Sequence, residues 1–221
     1  MQGSKPQYFA VVMGDLVHSE KFLAPTELHE HFNEAVDAQN RAHADVLKSP
    51  LTITLGDEFQ GLAGSLAQAL PIVRDLRLQL MSHAIECRFV IGLVELKTEV
   101  NHEKAWNMMG PGLARARLKL NEKKASTLYR FTVDETSVTE TLLDALGAGL
   151  TAIERRWTSQ QRDDIAALIG GVTPAELAKR RNVSVHSIYK VRASGDMEAY
   201  LMQWHAIAEA LAAIDTQKGL A

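Results

Sequence analysis

A β-prone run from Leu51 to Leu55 is broken by Gly56, Asp57 and Glu58 and turns apolar again at Phe59. A glycine and two acids between apolar stretches form the pattern of a hairpin whose tip carries carboxylates. Paired strands are therefore predicted over residues 51–63. A second apolar run, Tyr8 to Met13, ends in Gly14 and Asp15, 42 residues before Asp57. Two strands that each deliver a carboxylate from their ends can build one divalent-cation site, and such sites commonly handle phosphates.

The rest of the N-terminal half alternates between helical and extended patterns. Pro25 to Leu47 predicts a long amphipathic helix with Leu28, Phe32, Ala35, Val36 and Ala42 near one face, opened by Thr26 or the turn before it. Pro50 is expected to end the connection to the hairpin. Ser65 to Met81 predicts a second helix, with Leu66, Leu70, Val73, Leu76 and Leu80 at three- and four-residue steps. Glu86 to Leu96 reads as a strand, Leu113 to Lys124 as a short basic helix after Gly110-Pro111-Gly112, and Leu128 to Val133 as a last strand. This order predicts an α+β sandwich with a mostly antiparallel sheet and helices on one face.

After residue 138 the strand signal stops. Thr141 to Arg156 predicts a helix linking two domains, residues 1–138 and 139–221. Thr158 to Gln161 and Thr173 to Glu176 are capping boxes, the second with Pro174 at the first helical position. Gly170-Gly171 closes the first of these helices, Asn182-Val183-Ser184 makes a tight turn after the second, and Ser184 caps Val185 to Ala193. A last helix, Met197 to Ile214, places Leu201, Trp204, Ile207 and Leu211 on one stripe.

Short helix, three-residue turn, short helix is the geometry of a DNA-reading helix-turn-helix. Leu177, Ala178, Val183, Val185 and Ile188 are expected between the two helices. His186, Ser187, Tyr189, Lys190 and Arg192 are then left to meet phosphates and base edges. Charge agrees with this. The chain carries −3 overall, yet Thr173 to Ser194 holds five basic residues against Glu176, a local +4 that leaves −7 elsewhere. A basic island on an acidic chain suggests one anion-facing surface. Helix-turn-helix proteins read paired half-sites, so a homodimer is expected.

The 221 residues are 46% hydrophobic and 23% charged, enough for a packed core. Cys87 is the only cysteine, which excludes an intrachain disulfide and a cysteine zinc site. No apolar run approaches the ~18 residues that cross a bilayer, and no signal peptide is visible. A cytoplasmic protein without a membrane partner is the expectation.

Gly14 to Ser19, Ile53 to Leu62, Arg88 to Glu95, and Gly110-Pro111 followed by Ala116-Arg117 occur in the order seen in the SatD family, which the chain closely resembles over about residues 8–130. The same blocks look, more distantly, like class III nucleotidyl cyclases and GGDEF cyclases. That resemblance implies a ferredoxin-like palm fold. In it Asp15 and Asp57 hold Mg²⁺ or Mn²⁺ on a nucleotide or other phosphorylated molecule, with Glu58 an alternative ligand. The backbone from Leu16 through Val17 and His18 to Ser19 would cradle phosphates, and Arg117 would steady the transition state in an enzyme. Two departures weaken the enzymatic alternative, a metal-dependent cyclase or nucleotidyltransferase. Leu113 stands where the cyclases carry an Asn, and Ile53 where they carry a purine-selecting Lys. The GGDEF pattern also departs at Leu55, where its first glycine should stand. A ligand-responsive DNA-binding regulator is the preferred expectation.

Overall fold

β1 (Gln7–Leu16) lies at the centre of a five-stranded sheet ordered β2-β3-β1-β4-β5, with β2 at Leu47–Ile53, β3 at Glu58–Ala63, β4 at Cys87–Leu96 and β5 at Tyr129–Thr132. The computed structural model describes residues 7–19, 24–54, 56–122, 127–133 and 138–220. Leu55 of the hairpin and Lys123 and Lys124 of the basic segment lie outside them. β1 pairs antiparallel with β3 and β4, and β2 antiparallel with β3, whereas β5 runs parallel to β4. α1 (Pro25–Ala42) joins β1 to β2, and α2 (Leu66–Ser82) joins β3 to β4. In each of these β-α-β units a third strand lies between the two joined strands, so the units interleave.

The helices cover both faces rather than one. Ala10 and Val12 of β1 point into a layer shared with α1 and α2, while Phe9, Val11 and Met13 point into a second layer closed by Ala116 and Leu120 of α3 (Leu113–Leu120). The unbroken apolar run of β1 is the sequence mark of a strand buried on both sides. α3 is held there by the loop before it, which touches β4 backbone to backbone. A Cβ on Gly110 would lie 1.9 Å from the Glu95 carbonyl, and Gly112 adopts φ +99° beside the Leu93 carbonyl. Only glycine fits both positions.

α1 ends at Ala42, before the predicted Leu47, and its N-cap is Ala24 with Pro25 in the first turn rather than Thr26. Residues 43–46 form a turn instead, and β2 starts at Leu47 and runs through Pro50 with two register shifts. Proline and bulges are tolerated because β2 is an edge strand. The Asn40 side chain fixes the edge to α1, donating to the Leu51 carbonyl (2.9 Å) and accepting from the Leu51 amide (2.7 Å). At the other edge, amides of residues 128–133 donate to side chains of the next helix: Leu128 to Thr151 Oγ1 (2.9 Å), Phe131 to Asp144 (3.0 Å) and Val133 to Glu140 (2.9 Å).

That helix, α4, spans Val138–Arg156, and α5 (Ser159–Ile169), α6 (Pro174–Arg181), α7 (Val185–Ser194) and α8 (Met197–Lys218) follow. Both predicted capping boxes form, and Ser184 caps α7. The helices after residue 138 share the core of the sheet. Leu143, Leu150 and Ile153 of α4 and Tyr200, Trp204, Ile207 and Leu211 of α8 pack in one cluster with Leu70, Phe89 and Tyr129. Leu177, Ala178 and Ile188 make a small cluster apart, with Ala167, Leu168 and Val172 against it. Among the described residues, no helix is long and apolar enough to cross a membrane.

A polar network sits inside this shared core. Buried Glu154 of α4 accepts from Arg77 Nε of α2 (2.9 Å), from the Tyr200 hydroxyl of α8 (2.8 Å) and from the Tyr129 hydroxyl of β5. Arg77 also donates to the Ile85 carbonyl at 2.9 Å. Burial, reinforced by the Glu154 charge, pushes both phenols well above the usual tyrosine range, so both stay protonated donors. For Arg77, burial favours loss of charge, but Glu154 and the phenols beside it outweigh that and hold the guanidinium charged.

Candidate functional site

The strand register brings the acids of β1 and the hairpin together. Asp15 lies opposite Glu58 on β3 and opposite Arg88 on β4. Strand alternation puts all three on the α3 face, with Met13, Leu62 and Val90. Arg88 Nη2 is 3.0 Å from Asp15 Oδ2, and both side chains are about nine-tenths buried. From above, Arg117 of α3 donates to Gln60 Oε1 (2.6 Å) and reaches Glu58 Oε2 at 3.5 Å. Asp57, at the tip, accepts from Ser19 Oγ at 2.8 Å, and its carbonyl accepts from the Leu16 amide at 2.9 Å. Thr54 N–H donates to the Glu58 carbonyl at 2.8 Å and closes the hairpin. Arg88 carried no role in the sequence reading. Its signal was a lone arginine in an apolar strand, which must find a partner once buried.

The three carboxylates expected to hold Mg²⁺ or Mn²⁺ do not converge. Asp15 faces Arg88, Glu58 faces Arg117 and Asp57 faces Ser19, so each is turned to its own partner within the protein. Among the described residues no three His, Cys, Asp or Glu side chains gather as a metal cluster. To ligate an ion, each carboxylate would first have to leave its partner within the protein. Cys87 next to Arg88 is wholly buried. Burial and then the Asp15 charge push its thiol far above the ordinary range, so it is no nucleophile.

The expected phosphate cradle is also rearranged. Of the amides from Leu16 to Ser19, that of Leu16 is taken by the Asp57 carbonyl and that of Val17 by the Glu86 carbonyl (2.9 Å). His18 adopts φ 59°. Leu16, Val17, His18 and Ser19 instead line a cleft of about 260 Å³ beside Leu28 and Glu86, on the α1 side of the sheet. Arg117 stands over the opposite face, so the structure separates the cradle from the arginine that was to serve it. The other basic residues of α3 are structural. Arg115 pairs with Glu140, and Lys119 bridges Glu140 (2.8 Å), Asp144 (2.6 Å) and the Phe131 carbonyl (2.6 Å), which ties α3 to α4 and β5.

α6 and α7 meet across a three-residue turn in which Asn182 takes the left-handed conformation, φ 52°. Leu177, Ala178 and Ile188 form the contact, but Val183 and Val185, expected there, are each 40% exposed. On α7, His186, Tyr189 and Lys190 are exposed. Ser187 is drawn into the helix cap, its Oγ 2.9 Å from Ser184 Oγ. Arg192 lies 5.7 Å from the Tyr189 ring and pairs with Glu198 of α8. Lys179 and Arg180 of α6 are exposed, whereas Arg181 pairs with buried Asp164 of α5. The basic island therefore presents Lys179, Arg180 and Lys190 outward. α5 and α8 anchor the pair from behind, where Trp157 Nε1 donates to the Gly195 carbonyl at 2.7 Å.

No curated protein matches the chain. Two structures of a bacterial light-regulated adenylyl cyclase are similar over 58% and 59% of this chain, at 14% and 15% identity and TM-scores of 0.39 and 0.38. The chain spans 44% and 45% of their length. The guanylyl cyclase Cya2 is similar over 53% of this chain and 69% of its own, at 13% identity and a TM-score of 0.29. These values are too low to carry argument about activity. A model of the SatD family matches residues 8–211, nearly the whole described chain, across the sheet, the acidic hairpin and the C-terminal helices alike. The protein belongs to the SatD family.

Proposed function

We propose that this SatD-family chain is a DNA-binding transcriptional regulator whose sheet half, a ferredoxin-like palm, takes up a phosphorylated small molecule. The observation that carries the reading is the α6–turn–α7 pair, a helix-turn-helix with His186, Tyr189 and Lys190 outward on the second helix and Lys179 and Arg180 beside them. Such a helix enters the major groove while flanking lysines and arginines hold the phosphates. A copy bound to each half-site would make the active species a homodimer. The ligand-binding half of the proposal rests on the clefts at the β1 end of the sheet.

The enzymatic reading gains no comparable support. Leu113 offers no polar group where cyclases use an Asn, and the buried Asp15–Arg88 pair already satisfies the first carboxylate. Selection of duplexes from a random pool by the full chain, followed by fluorescence anisotropy on the enriched sequences, tests the regulator. Enrichment of a two-fold symmetric site is the expected result. No enrichment at low salt, or undiminished affinity in a Tyr189→Ala/Lys190→Ala variant, would remove the proposed reading helix.

A further inference from the structure

The cleft lined by Leu16 to Ser19 is not isolated. It shares Ala84, Ile85 and Glu86 with a larger cleft, of about 410 Å³, that extends to Arg77, Glu154, Arg155 and Arg162. The two clefts adjoin at these residues and together form a groove from the end of β1, past the α2–β4 connection, to the first turn of α5. We infer that this groove is the binding site for the phosphorylated ligand, with its phosphate on Arg162 and Arg155 and its body against Val17, Leu28 and Ile85. The inference rests on the reading that the sheet half takes such a ligand, and it replaces Arg117 as the group that holds it.

The charges along the groove single out an anion. Arg77 is buried and neutralised by Glu154, whose carboxylate is already satisfied by Arg77, Tyr129 and Tyr200. Arg155 pairs with Glu86 at 3.2 Å, and both are more than a third exposed. Exposed pairs of that kind hold weakly, and a phosphate can draw the guanidinium away through two charge-assisted hydrogen bonds. The Arg162 side chain has no partner among the described residues. Its charge is left over when the other four cancel, so the groove carries a net positive charge at the α5 end. The larger cleft alone has the size of ordinary small-molecule sites, roughly 300–1,000 Å³.

The position also supplies a route to the DNA-facing helices. Arg162 lies on α5 two residues before Asp164, and Asp164 pairs with Arg181 at the end of α6. A phosphate on Arg162 is therefore bound by the helix on which the α6–α7 pair is seated. Neither Asp15 nor Glu58 lines the groove, so the site needs no metal to offset them.

Thermal unfolding of the full chain with inorganic pyrophosphate, at constant ionic strength and with sodium sulfate in parallel, tests the site. Pyrophosphate is expected to raise the midpoint of the wild type by several degrees, more than sulfate does. Arg162→Gln should lose most of the rise while unfolding at the wild-type temperature without ligand, since its side chain is partly exposed and unpaired. Arg155→Gln should lose part of it. The inference is overturned if pyrophosphate raises the wild type no more than sulfate, or if Arg162→Gln responds fully. It is also overturned if Arg117→Gln abolishes a response that Arg162→Gln keeps. None of these outcomes depends on DNA, so the groove and the regulator stand or fall separately.

Discussion

The Asp215 carboxylate, near the end of α8, accepts hydrogen bonds from the backbone amides of Leu66 (2.9 Å) and Ala67 (2.8 Å) at the start of α2. Ser65 caps the same end through the Gln68 amide at 3.3 Å. A buried acid from α8 thus completes the N-terminus of a helix some 150 residues earlier, where the helix dipole favours negative charge. Asp215→Ala should cost about 1–2 kcal/mol, the usual loss for a removed cap. Urea unfolding would measure it. A cost near zero would mean that Ser65 alone satisfies the helix end.

Removing one member of the Asp15–Arg88 pair leaves the other charged and buried. Arg88→Leu should therefore destabilise the protein by about 3–5 kcal/mol, and the Asp15→Asn/Arg88→Leu double variant should recover a large share of that. A double-mutant cycle by urea unfolding checks both numbers. Additive losses would show that the two side chains do not act as a pair.

The Glu154 network makes stability sensitive to alkali. Tyr129 and Tyr200 have folded-state pKa values raised above the ordinary 10 by burial and by Glu154. A raised pKa stabilises the fold fully below the unfolded value, and that contribution falls as pH climbs from about 10 towards the folded values. Stability measured from pH 8 to 11 should decline at the upper end, and Tyr200→Phe should flatten the decline while costing about 1–2 kcal/mol at neutral pH. An unchanged slope in Tyr200→Phe would assign the alkaline loss elsewhere.

Glu176 closes the capping box of α6 by accepting from the Thr173 amide (3.0 Å) and hydroxyl (2.8 Å), and these bonds lower its pKa from 4.5. Its contribution is present above 4.5 and is lost as pH falls through the lowered value. The stability difference between wild type and Glu176→Gln should be constant above pH 5 and shrink on acidification. Circular dichroism melts between pH 3 and 6 would record it.

For DNA, Lys190 and Arg192 should differ although both are basic and both lie on α7. Lys190 is exposed, whereas Arg192 already pairs with Glu198. Lys190→Ala is expected to lower the slope of log affinity against log salt by about 1, the loss of one phosphate contact. Arg192→Ala should change it less. Anisotropy titrations at several salt concentrations separate the two, and equal slopes would move Arg192 onto the DNA.

What could be read from the sequence divides by the range of the interaction. Capping boxes at Thr158 and Thr173, the turn at Asn182 and the hairpin around Asp57 are local, and each formed where its residues stood. The side chosen by α3 was not local. It depends on β1 being apolar on both faces and on Gly110 and Gly112 meeting β4. The seam between the sheet and the C-terminal helices was hidden for the same reason, since Arg77, Glu154 and Tyr200 are individually unremarkable charged or aromatic positions until folding buries them together. At the site, Asp15 stands across from Glu58 in the strand register, and Arg117 reaches Glu58 from α3. The partners Arg88 and Gln60 were not legible, because they become visible only through the cross-strand register.

Both margins of the sheet are closed, one by Pro50 and its bulges and the other by the α4 side chains that take up the amides of Leu128, Phe131 and Val133. Neither margin is a template for growth by a strand from another molecule. Strand-to-strand growth into ribbon-like polymers is thereby disfavoured, and the proposed two-fold assembly would use helical surfaces, where it can be reversible and can be adjusted by what the helices bind.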